Sequence, residues 1–140
     1  MAAPARLPIT DLPKGHEFDI GEIDIKPDGV ERYLAAVEDE NSVYRESNLA
    51  PPLAVAASAL GRLLDVIELP AGTLHAAQEI DVQGGVPIGT TCAMSGRIAQ
   101  RSERAGLVIM VIEFAVTPAG ATAPALTGRT TVMSPAGTAS

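Results

Sequence analysis

Pro51-Pro52-Leu53-Ala54-Val55-Ala56-Ala57-Ser58-Ala59-Leu60-Gly61-Arg62-Leu63-Leu64-Asp65-Val66-Ile67 is the stretch on which the fold turns. From Leu53 to Ile67 it is apolar on almost every side until Arg62. A helix that is apolar all round is a buried helix. Ala54, Ala56, Ala57, Ser58, Ala59 and Gly61 keep it slim, so a sheet can approach and wrap it closely. The tandem prolines suit its first turn, where a missing N–H leaves no bond unmade. The spacing therefore predicts one long buried helix over 53–67.

The segments on either side read as its wrapping. Upstream, Phe18, Ile20, Ile23 and Ile25 form two short alternations that change phase at Gly21-Glu22. A strand with a bulge at that glycine accounts for the slip. Pro27-Asp28-Gly29 turns the chain, and Asp28 with Glu31 reads as a capping box. Val30, Tyr33, Leu34 and Val37 then fall at helical spacing, which predicts an amphipathic helix on the outside of the fold. Downstream, Leu74 to Val82 alternates, with Ala76, Gln78, Ile80 and Val82 opposite His75, Ala77, Glu79 and Asp81. Gly84-Gly85-Val86-Pro87 breaks that strand. Thr90 to Gln100 alternates again, and Arg101 to Arg104 with Gly106 reads as a hairpin loop. Leu107 to Val116 is nearly all β-branched or apolar, as expected of a central strand covered on both faces. A turn at Pro118-Ala119-Gly120 leads to a last strand, Leu126 to Met133. Strand, helix, buried helix and a four-strand meander make an α+β fold. An antiparallel sheet curled around one long helix is the hot-dog arrangement.

Composition narrows the function. At 140 residues the chain makes one domain, 1–140, with Pro/Ala/Ser/Gly-rich ends, about 1–10 and 134–140, expected to be loosely held. Hydrophobic content of 46% excludes a disordered chain despite a net charge of −7. The acidic balance argues against a nucleic-acid partner, and 3% aromatic residues leave no base-stacking surface. The single cysteine excludes an intrachain disulfide and a cysteine-built zinc site, so Cys92 reads as a core residue and no metal is expected. No window approaches the ~18 apolar residues that span a bilayer, and no membrane contact is expected. Met1 to Arg6 lacks the apolar run of a secretory signal, which points to the cytoplasm.

Chemistry enters through Val37-Glu38-Asp39-Glu40-Asn41-Ser42-Val43-Tyr44, just ahead of the buried helix. This stretch resembles the Asp-x-Asn-Pro-x-His segment of MaoC-like (R)-specific enoyl-thioester hydratases and dehydratases. Asp39 stands at the family's aspartate, Asn41 at its asparagine, Ser42 at its proline and Tyr44 at its histidine. Leu74-His75-Ala76-Ala77-Gln78-Glu79 and Pro87-Ile88-Gly89 are also similar to that family, on its non-catalytic N-terminal-type half. The resemblance covers about residues 14 to 133. In such enzymes an Asp and a His hold the water that adds across an enoyl thioester. A glycine N–H at the start of the buried helix polarises the thioester carbonyl. Here Tyr44 offers a phenol of reference pKa about 10, far too weak a base. Pro51 and Pro52 have no N–H to donate, which leaves Leu53 and Ala54 as helix-start donors.

The resemblance thus implies a subunit that binds an acyl or enoyl thioester, with Asp39 as the catalytic candidate. Asn41, Tyr44, Leu53, Ala54 and His75 are the substrate-binding candidates. It implies no cofactor beyond the coenzyme A or phosphopantetheine carried by the substrate. The partner is a second copy, or a catalytic hot-dog subunit in a heterodimer. Plainer readings stand beside these. Asp39 is a solvated acid within Glu38-Asp39-Glu40, Asn41 a turn residue, Tyr44 a packed ring and His75 structural. Arg97, Arg101 and Arg104 either contact substrate phosphates or decorate a solvated hairpin. A rival reading is a self-sufficient homodimeric hydratase that uses Asp39 with a relocated base such as His75. A hot-dog thioesterase fits poorly, because Leu53 to Leu64 has no carboxylate and Asp65 comes only near the helix end.

Overall fold

The computed structural model of the protein describes residues 6–37 and 47–136. β1 (Leu7–Pro8) pairs in parallel with β3 (Ile67–Glu68), and Ile9 behind it is fully buried, so this part of the N-terminal stretch is tied to the core. The main sheet is built from β2 (Glu17–Asp24), β4 (Leu74–Val82), β5 (Thr91–Arg104), β6 (Leu107–Pro118) and β7 (Leu126–Pro135). Its order is β2-β5-β6-β7-β4, with every neighbouring pair antiparallel. Among the described residues, helices α1 (Pro27–Ala36) and α2 (Pro52–Val66) lie between β2 and β3 in the chain. The sheet curls over α2, the arrangement expected of a hot-dog fold.

The expected bulge in β2 is present. Register with β5 shifts between Asp19 and Gly21, where Gly21 adopts φ +105°. The Gly21 N–H donates to Asp19 Oδ1 at 3.0 Å, and Arg62 Nε on α2 donates to the Ile20 carbonyl at 3.1 Å. The bulge thereby opens a carbonyl that fastens the helix to the sheet edge. A second bulge, in β4 between His75 and Ala77, puts His75 in register with the buried Val132. Simple alternation had placed His75 on the opposite face from Gln78.

Four expectations need correction. The capping box is absent: α1 starts at Pro27 after an extended Lys26, with no side-chain cap, and Asp28 falls inside the first turn. Proline at the first helical position needs no N–H partner, so the helix begins earlier than an Asp28 cap allows. β5 runs through Arg101–Arg104, and only Ala105 and Gly106 turn, both at positive φ (52° and 80°). A two-residue turn of that kind matches strand twist and lets polar residues stay in the ladder. α2 is covered on one face only: Val55, Ala56, Ala59 and Leu63 are buried, whereas Leu53 is 62% and Leu64 43% exposed. β6 alternates between buried and half-buried residues, so one of its faces is open as well. Within a single chain, one curled sheet reaches only one side of a helix.

The core is organised by one rung across the sheet. Phe18, Gly96, Phe114, Gly128 and Ile80 stand opposite one another in that order on the α2 side. A Cβ on Gly96 would lie 2.6 Å from Phe18 Cζ, and one on Gly128 would clash with the tip of the Phe114 ring. Large and small residues alternate so that each ring fills the space left by a neighbouring glycine. Gly128→Ala is therefore expected to lower stability by about 1–3 kcal/mol through overpacking. Adding Phe114→Leu should recover part of that loss; denaturant unfolding of the single and double variants measures it. Equal destabilisation with and without Phe114 would show that the ring is not the cause.

Candidate functional site

α2 begins beside an apolar cavity of about 350 Å³, lined by Ser47, Leu49, Ala50, Pro52, Val55, Val82, Gly84, Gly85, Val86 and Leu126. The backbone that closes it is well anchored. Ala50 N–H donates to Val86 O at 2.8 Å, and Ile88 N–H to Asn48 O at 2.9 Å, across an antiparallel bridge of Leu49 with Pro87. Gly85 lies against the Leu49 side chain, where a Cβ would approach Cδ2 to 3.0 Å. The β4–β5 connection and the run into α2 thus form one latched wall. The end of β4 at Val82 and the start of β7 at Leu126 supply the other wall. No lining residue among those described is ionisable at neutral pH. The size and the apolar lining fit an acyl chain better than a charged metabolite.

The candidates from the sequence are only partly gathered here. Asp39, Asn41 and Tyr44 lie outside the described residues. Leu53 and Ala54 are in the first turn of α2, one and two residues past the cavity-lining Pro52. Ala54 N–H is taken: it donates to the Pro51 carbonyl at 2.9 Å, in a tight first turn. With Pro51 and Pro52 lacking an N–H, Leu53 is the remaining backbone donor at the helix start. Its side chain points to solvent, 62% exposed. His75 is exposed and bonds through Nε2 with the Ala77 carbonyl at 3.1 Å. Seven residues separate it from Val82, or about 23 Å of strand. Within one chain, His75 and the cavity are at opposite ends of β4. What sequence reading missed was the pairing of the α2 start with Val82, Val86 and Leu126, because these residues are brought together only by the sheet.

Two of the three arginines, Arg97 and Arg101, have structural partners. Arg97 Nη2 donates to Glu113 Oε1 at 2.7 Å, and Arg101 donates to the Thr10 carbonyl through Nε and Nη2 at 3.1 and 2.9 Å. Cys92 is fully buried, and burial, with the Asp24 carboxylate adding to it, pushes its thiol pKa up. It is a core residue, as its apolar strand suggested. Among the described residues, no group of three or more His, Cys, Asp or Glu is placed to hold a metal ion. No described helix is long and apolar enough to cross a membrane.

No family model and no curated protein matches the sequence. Solved structures do match in fold. The MaoC-like dehydratase from Rhodospirillum rubrum is 14% identical with a TM-score of 0.75, covering 92% of this chain and 97% of its own. The (R)-hydratase from A. caviae involved in PHA biosynthesis is 17% identical with a TM-score of 0.67, covering 89% and 98%. The C-terminally truncated HadBC (3R-hydroxyacyl-ACP dehydratase) complex from Mycobacterium tuberculosis is 17% identical with a TM-score of 0.72, covering 86% and 96%. The chain has the hot-dog fold of MaoC-like dehydratases and (R)-hydratases.

A thiol held protonated and out of solvent is a poor nucleophile. Cys92 should therefore resist a soluble thiol reagent at pH 8 in the native protein and react fully once the chain is unfolded. Rapid native labelling would place it at an accessible surface instead.

Proposed function

We propose that this chain is the acyl- or enoyl-thioester-binding subunit of a MaoC-like hydratase or dehydratase, and that a catalytic hot-dog partner completes it. The observation that carries this reading is the apolar cavity at the start of α2. It has the size and lining for an acyl chain, and its described lining holds no acid or base. Addition of water across an enoyl thioester needs a base near neutral pH and a preorganised donor for the carbonyl oxygen. Tyr44 at the position of the family's histidine weakens the first, and Pro51-Pro52 weakens the second. The HadBC dehydratase complex, which shares the fold, supports a partner chain as the source of both. In this reading Asp39, Asn41 and Tyr44 border the thioester from the segment leading into α2. Coenzyme A or phosphopantetheine enters only as part of the ligand, and the setting is cytoplasmic.

The test separates binding from turnover. Purified chain should bind a long-chain acyl-CoA without hydrating crotonyl-CoA or a longer trans-2-enoyl-CoA, as followed by loss of enoyl absorbance. Val82→Trp, at a half-exposed wall of the cavity, should weaken acyl-CoA binding by about tenfold, or ~1.4 kcal/mol. Turnover by the chain alone, abolished by Asp39→Asn, would replace this proposal with a self-sufficient homodimeric hydratase. Absence of acyl-CoA binding would leave the cavity without a ligand and remove the proposal altogether.

A further inference from the structure

Two glycines in the cavity wall lack the usual conformational reason for being glycine. Neither Gly84 nor Gly85 adopts a positive φ, so ordinary side chains suit both backbones. Glycine loses more backbone freedom on folding than any other residue, so a fixed glycine needs another cause. The wall is fixed: Gln83 and Gly84 N–H both donate to the Ala125 carbonyl, at 2.8 and 3.0 Å. At Gly84 a Cβ would meet nothing nearer than Ala125 Cα at 3.9 Å, an ordinary contact. At Gly85 it would press on the Leu49 side chain, 3.0 Å from Cδ2 and 3.2 Å from Cδ1.

Leu49 has little freedom to answer that pressure. Its backbone is clamped by the bonds of Ala50 to Val86 and of Ile88 to Asn48, across its bridge with Pro87. Asn48 just before it holds φ +58°, a left-handed conformation that asparagine tolerates. Only the side chain can move. Leu49 and Gly85 both line the cavity, and Leu49 stands half-exposed at its mouth. Glycine at 85 therefore lets Leu49 lie back against the wall and keeps the cavity wide.

The cavity is also compact. Among the described residues, α2 lines it with Pro52 and Val55 alone, less than one turn or about 4.5 Å of helix. β4 contributes only its last residue, Val82, and β7 only its first, Leu126. About 350 Å³ is thus gathered at the ends of these elements and not drawn out along them. An apolar cavity of about 150 Å³ is enough to take a benzene ring. The volume here exceeds that by roughly a factor of two, in a chamber closed by the buried Val55, Val86 and Leu126. A linear chain threading such a chamber leaves gaps along its flanks, and each gap forfeits dispersion contacts.

We infer that the cavity selects a compact, bulky acyl end, branched or ring-bearing, over a linear one. Gly85, by letting Leu49 lie back, sets that preference. This rests on the thioester reading of the same cavity and names the class of acyl group it takes.

Isothermal titration calorimetry with the full chain compares two acyl groups of equal carbon count, 4-cyclohexylbutanoyl-CoA and decanoyl-CoA. Wild type should bind the cyclohexyl ligand at least about fivefold more tightly than the linear one. Gly85→Ala should move that ratio toward the linear ligand by about tenfold, and adding Leu49→Ala should move it back. Leu49→Phe narrows the same wall without touching the glycine and should shift the ratio in the same direction. It keeps the test open if Gly85→Ala does not fold. Equal or tighter binding of decanoyl-CoA by wild type overturns the inference, as does an unchanged ratio in the folded variants. In either case both ligands bind and the thioester reading stands. Binding of neither ligand by wild type removes that reading and this inference with it.

Discussion

The two phenylalanines of this chain lie on a single rung of the sheet, each against a glycine of the next strand, and that packing sets the register of everything around it. Side chains alternate between faces with a period of two, so a one-residue slip in any strand would send its buried set to solvent. It would also put a side chain where Gly96 or Gly128 admits a ring. The same register places the alternating charges of Glu17, Arg97, Glu113, Arg129 and Glu79 on the adjacent rung of the opposite face. Inner apolar rung and outer ionic rung are two consequences of one alignment.

α2 is then held at both ends by different means. Near its C-terminal end, Arg62 reaches the carbonyl exposed by the Gly21 bulge, so a local irregularity in β2 becomes an anchor for the helix. At its N-terminal end, two prolines and the Ala54–Pro51 bond consume or delete most of the donors that a helix start normally presents. A helix start is a natural place to stabilise a developing oxyanion, and this one has been largely emptied for that task. What remains there is an apolar cavity.

Much of this was legible in the linear chain. The slim apolar run 53–67 called for a wrapped helix, the phase change at Gly21 called for a bulge, and alternation gave β4 and the core position of Cys92. Local signals misled where a tertiary partner decides the outcome. Arg101 to Arg104 looked like a loop because they are polar, yet a two-residue turn at Ala105-Gly106 keeps them in β5. Asp28 looked like a cap, yet Pro27 already occupies the first helical position. The all-round apolar character of α2 and β6 predicted cover on every side, whereas within one chain both keep an open face.

The sequence by itself determined the class of fold, because periodicity, small-residue content and turn residues are local properties that act over a few residues. It also determined that Pro51 and Pro52 have no N–H to donate at the start of α2. Only the tertiary structure decided which residues form the cavity, because Val82, Val86 and Leu126 meet Pro52 and Val55 through strand pairing over long sequence separations. The charge alternation that ends at Glu79 is likewise invisible in any one strand. It exists only across five of them, where hydrogen-bonded register turns scattered acids and arginines into a single row.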